Sequence, residues 1–114
     1  MNCPMKAGAG DAEYQQAFRE RIDPAVRSFR PDAIILSSGF DAHRSDPLGA
    51  IELEADSYGW MSRYVMEWAE HTAKGRVLSL LEGGYHPRAL ADCVERHLEV
   101  LASVPRDTAP PPGS

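Results

Sequence analysis

The amino-acid sequence reads as an α/β protein: a three-layer α-β-α fragment of a parallel sheet, with elements in the order α-β-α-β-α. Three features point there. Two short apolar runs, AIILSS at 33–38 and RVLSLL at 76–81, have the length and composition of strands. A long amphipathic stretch lies between them and can serve as the crossover helix that parallel strands need. Both runs end in polar, glycine-bearing stretches, and in open parallel sheets ligands gather beyond the carboxyl ends of the strands.

The elements follow in order. Residues 1–10 carry Pro4, Gly8 and Gly10 and read as an irregular lead-in. Asp11 is the expected N-cap of a helix in which Tyr14, Phe18, Ile22, Val26 and Phe29 recur at helical spacing. Pro24 should kink or divide that helix, since it lacks an N–H and its ring crowds the preceding turn. The Arg30-Pro31-Asp32 stretch ends it. The strand at 33–38 is apolar at consecutive positions, which suits a strand covered on both faces. A long loop follows at 39–54, and loops of that length in compact domains are often functional.

A second helix is expected at 55–73, with Tyr58, Met61, Val65, Trp68, Ala69 and Thr72 on one face, stopped by Gly75. After the second strand, Pro87 opens a third helix, where its missing N–H costs nothing. Leu90, Val94, Leu98 and Leu101 are its expected inner face. Residues 1–104 form one domain, and 105–114 a Pro-rich flexible tail.

Composition narrows the function classes. With 114 residues and 43% hydrophobic residues, the chain can build one modest core. A formal net charge of −5 argues against a general nucleic-acid binder. No apolar run approaches the roughly 18 residues of a membrane span. Cys3 and Cys93 lie far apart, match no metal spacing and are expected as free thiols. The expected protein is soluble and cytoplasmic.

The chemistry concentrates at the two strand ends. In LSSGFDAHRSDPLG, Asp41 follows Gly39 and Phe40 at the end of a buried strand. A carboxylate there is costly unless paired, hydrogen-bonded or on a metal. Asp41 and His43 are two apart and can face one cation, but a zinc site needs three or four ligands. The alternative is that Asp41 pins its loop through backbone N–H groups while Arg44 and Asp46 form an ion pair. In LEGGYHP, Gly83 and Gly84 let the backbone approach a ligand, and Tyr85 presents a phenol that can steady an oxyanion. His86 can line the same pocket or simply precede the helix. His71 and His97 read as surface or packing histidines. If the two strands are neighbours, Asp41 and Tyr85 face a common place.

RPDAIILSSGFDAHRSDPLG followed by LEGGY resembles the C-terminal portion of the histone deacetylase superfamily, nearest to class II deacetylases and bacterial acetylpolyamine amidohydrolases. NCPMKAGAGDAEYQQAF resembles the family segment that introduces the preceding helix, so the likeness spans 2–101. The resemblance implies a partial deacetylase (arginase-like) fold. It implies hydrolysis of acetylated amines such as acetyl-lysine or acetylpolyamines, and zinc as the cofactor. It makes Asp41 one of three zinc ligands and Tyr85 the catalytic residue that polarises the amide carbonyl; His43 and His86 are alternative ligands on residue chemistry alone. Gly39, Phe40, Gly83 and Gly84 would shape the pocket.

The family's other two ligands and its paired histidines lie upstream of anything matched here. The expectation is therefore a truncated deacetylase-like chain, inactive alone, that does not hold zinc tightly. One alternative is half of a split enzyme completed by another chain. The other is a non-enzymatic oligomeric binding module. Missing upstream elements would bare sheet edges and helix faces, so a homodimer or higher homo-oligomer is expected, using strand 33–37 with Tyr14, Phe18 and Ile22.

Overall fold

The computed structural model describes residues 1–103; the tail expected at 105–114 lies outside them. The first helix is divided, as Pro24 requires. Helix α1 (Asp11–Ala17) runs into a π-helical turn at Phe18–Ile22, and helix α2 (Asp23–Phe29) carries Pro24 in its first turn. The N-cap is Gly10, not Asp11: the Glu13 carboxylate accepts the Gly10 N–H at 2.8 Å, and Asp11 instead accepts the Trp60 indole N–H at 3.1 Å. A π turn holds an extra residue, which rotates everything after it out of the earlier helical phase. Phe29, expected on the inner stripe, is therefore 81% exposed. Arg30 ends α2 in the left-handed conformation.

Strand β1 (Ile34–Ser38) pairs in parallel with strand β2 (Val77–Leu81), with Ile34 opposite Val77 and Ser38 opposite Leu81. Helix α3 (Ala55–Thr72) makes the crossover, and helix α4 (Pro87–Ser103) follows β2 and packs on α3. This is the α/β class expected. The strands are covered on one face only, however. Leu36 and Ser79 face the helices, whereas Ile35, Leu78 and Leu80 on the other side are exposed.

The core sits between the helices and the 39–54 loop: Phe40, Leu53, Tyr58 and Cys93 are its buried centre, with Tyr14, Met61, Leu90 and Val94 against it. Phe18 joins Trp60, Tyr64 and Trp68 in an aromatic cluster, stacked on Trp68 at 5.8 Å between ring centroids. On α4 the fully buried residues are Ala89, Cys93, His97 and Val100; of the expected inner face, Leu90, Val94 and Leu101 are half-buried and Leu98 is more than half exposed. Both cysteines are free thiols.

Candidate active site

The parallel ladder does not stop at the strand ends. The Glu82 N–H donates to Ser38 O at 3.0 Å and the Phe40 N–H to Gly83 O at 2.8 Å. This extension lays Gly39-Phe40-Asp41 beside Gly83-Gly84-Tyr85. Alternation then sorts the side chains. Phe40 points inward, 3% exposed, with its ring 4.9 Å from that of Tyr58. Asp41 points outward and is exposed, as is Tyr85.

The two meet over Gly83. A Cβ on that glycine would lie 2.8 Å from Asp41 Oδ2 and 3.5 Å from the Tyr85 hydroxyl. Two more glycines adjoin Asp41: a Cβ on Gly39 would touch its Oδ1 at 3.4 Å, and one on Gly49 would overlap its carbonyl oxygen, so glycine is needed at Gly49. Gly84 has a different reason: its φ of 136° disfavours any side chain, and a Cβ would strike Leu90 Cδ1 at 2.8 Å. Asp41 and Tyr85, expected to face a common place, thus both border Gly83.

Three details of the loop differ from the sequence reading. The loop pin is Asp46 rather than Asp41: its Oδ1 accepts the Leu48 N–H at 2.9 Å and its Oδ2 the Tyr85 N–H at 2.8 Å. Arg44 pairs with Glu54 at 2.9 Å, not with Asp46. Among the described residues, the Asp41 carboxylate accepts no hydrogen bond, which leaves its lone pairs available to a ligand. Tyr14 also belongs to the neighbourhood, since burial and then the Asp41 charge push its phenol above the ordinary value. Nothing in the sequence marks Tyr14 or Gly49 for the site; their part emerges only when the loop folds over α1.

His43 and His86 are occupied elsewhere. His43 Nδ1 accepts the Ser45 N–H at 3.0 Å within its own turn. His86 Nδ1 accepts the Ala89 N–H at 3.1 Å and so caps the first turn of α4. A neutral imidazole accepting at Nδ1 carries its proton on Nε2 and has no lone pair left for a cation. Among the described residues, no group of three or more His, Cys, Asp or Glu stands where it could hold a metal ion. A zinc site needs three or four protein ligands. Asp41 fits one coordination position, and the described residues do not make a zinc site by themselves.

A parallel strand pair presenting a carboxylate and a phenol at its carboxyl end defines an α/β protein with a candidate site at the strand ends. The comparisons give the family. The histone deacetylase domain matches residues 1–101, and the chain belongs to the histone deacetylase family.

It is 38% identical over 104 residues to the histone deacetylase-like amidohydrolase of Pseudomonas aeruginosa, covering 91% of this chain and 27% of that protein. It is 36% identical to histone deacetylase 8 of Arabidopsis thaliana, covering 92% of this chain and 28% of that protein. The solved structure of the histone deacetylase Clr3 superposes with a TM-score of 0.83 at 33% identity, over 92% of this chain and 17% of that one. The chain spans about a third or less of the length of the curated relatives it matches.

Proposed function

We propose that this chain carries the carbonyl-polarising side of a zinc-dependent amidohydrolase acting on acetylated amines, acetyl-lysine or acetylpolyamine, and that it is inactive alone. The observation that carries the reading is the meeting of Asp41 and Tyr85 over Gly83. In that reading Tyr85 donates its hydroxyl to the oxygen of the amide as it becomes an oxyanion, and a donor so aimed contributes more to the transition state than to the ground state. Asp41 would supply one ligand to zinc, with the remaining ligands and the general base coming from sequence outside this chain.

The complement is a further part of the same polypeptide or a second chain, and the exposed Ile35, Leu78 and Leu80 face is the surface we propose it covers. The same bare face favours a second reading, an oligomeric binding module without chemistry. The two are separated by co-expressing this chain with a P. aeruginosa amidohydrolase from which the matched segment has been removed. The expected result is acetyl-lysine hydrolysis by the pair and by neither part alone, with Tyr85→Phe lowering it by about 10²–10³-fold. Two results would overturn the proposal. One is hydrolysis by this chain in isolation. The other is an inert pair under conditions where that enzyme's own excised segment restores activity.

A further inference from the structure

Asp46 stands out among the acids of this chain because it is 6% exposed and has no Lys, Arg or His partner among the described residues. A carboxylate so far from water is costly unless hydrogen bonds replace its solvation. Two backbone donors replace it, and they come from different loops. One is the Leu48 N–H of its own turn, held across Pro47, whose ring fixes the backbone between them. The other is the Tyr85 N–H, from the loop after β2. Hydrogen bonds to a charged acceptor are about twice as strong as neutral ones.

Tyr85 has little else to hold it, since its side chain is 54% exposed and gains small packing from its neighbours. The ladder that joins the two loops reaches only as far as the Phe40–Gly83 bond. From there on, the Asp46 carboxylate is the tie.

We infer that Asp46 is a positioning residue: by binding the Tyr85 N–H from within the Asp41 loop, it sets where the phenol stands relative to the Asp41 carboxylate. The consequence for catalysis rests on the amide-hydrolysing reading above; the tie itself does not. The geometry is therefore tested on the isolated chain, without any activity, by amide hydrogen exchange. In the unsubstituted chain the Tyr85 N–H is expected to exchange at least about tenfold more slowly than those of Gly84 and His86, which have no backbone partner among the described residues. Equal rates for the three would overturn the inference, and this arm requires no variant to fold.

Asp46→Asn keeps the shape, removes the charge and turns one acceptor into a donor. Its expected effect is loss of the Tyr85 protection, with an upfield shift of that amide proton, while the amides of α3 and α4 keep theirs. Uniform loss across the chain would mean that Asp46 only holds the fold, and would overturn the positioning role. In the completed enzyme the same variant is expected to lower kcat by about 10²-fold with KM within about twofold, the signature of a displaced catalytic group. An inert completed enzyme with an intact exchange pattern would refute the proposed activity and leave the tie standing. Unchanged kcat in an active one would refute the positioning role.

Discussion

Gly83 and Gly84 are adjacent, yet substitution at each should fail for a different reason. A Cβ on Gly83 meets the outer end of the Asp41 side chain, which is exposed and free to swing away. Gly83→Ala is therefore expected to change stability by less than about 1 kcal/mol, while lowering activity of the completed enzyme by about 10²-fold as the carboxylate is pushed aside. A Cβ on Gly84 meets Leu90 inside the core and must also accept a φ of 136°. Gly84→Ala is expected to cost about 1–3 kcal/mol. Thermal melts of the two variants decide the matter, and equal losses would contradict this division. Cys93 offers a second check at this scale. Burial, and then the neighbouring Asp92 charge, push its thiol up to about 11, and it is fully buried. It should stay protonated and unreactive at pH 8. Iodoacetamide is expected to modify one thiol in the native chain, Cys3, and two after unfolding; two in the native chain would show that the α3–α4 core opens readily. The site was legible where it departs from ordinary strand-end chemistry: an acid after Gly-Phe and a phenol after Gly-Gly. Asp46 was not legible as the tie, because its role depends on which N–H of a distant loop faces it, and no spacing within the sequence carries that.

Helix α4 shows how an element can be found in sequence and still be turned wrongly. Its two apolar stripes lie side by side, and the one with three leucines and a valine is the more hydrophobic. The structure buries the other more deeply, through Ala89, Cys93, His97 and Val100, and leaves Leu90 and Val94 half-buried beside it, because small residues let α3 and α4 approach: Gly59, Ser57 and Ser62 are buried on α3. His97 is the polar break that hid this stripe. It is satisfied on both nitrogens, with Ser62 Oγ 2.7 Å from Nδ1 and Ser79 Oγ 2.8 Å from Nε2. Ser62 already donates to Tyr58 O at 2.6 Å, so Nδ1 must carry the proton and Nε2 must accept from Ser79. The parallel pairing of the strands and the helix at 55–73 were legible for the opposite reason: apolar runs, a crossover and glycine stops all agree there. Burial lowers the His97 pKa from its ordinary 6.5. The unfolded chain then binds a proton near pH 6.5 that the folded chain refuses. Stability from this group is present above about 6.5 and is lost as pH falls below it, at no more than about 1.4 kcal/mol per pH unit. Urea midpoints taken from pH 8 to pH 5.5 are expected to fall in that lower range, and His97→Gln to flatten the fall. A wild-type midpoint independent of pH would mean that His97 is protonated in place.

For the molecule as a whole, the unresolved demand is the far face of the sheet. Ile35 is 67% exposed, Leu78 54% and Leu80 48%, side by side on two strands whose outer edges are unpaired among the described residues. Phe18 and Tyr14, also expected at an interface, are engaged in the aromatic cluster and the core, which leaves the strands to carry the expected contact. An apolar sheet face flanked by open edges is driven to find cover, since each Å² removed from water contributes about 25 cal/mol. Where no complement is present, we propose that a second copy of the chain supplies it. Light scattering after size exclusion, at tens of micromolar, is expected to give a dimer or larger assembly. Ile35→Lys combined with Leu80→Lys should return it to a monomer with unchanged far-UV circular dichroism, because neither side chain supports the α3–α4 core. A wild-type monomer would refute self-association. A wild-type assembly that survives the double substitution would move the contact off the sheet. Adding the complementary part of the amidohydrolase then asks whether both partners want the same surface. A dimer that dissociates as the mixed complex forms would mean that the face is a docking surface occupied by default. A dimer that persists inside the mixed complex would separate the two contacts and require the complement to bind elsewhere, beyond the strand ends where Asp41 and Tyr85 meet.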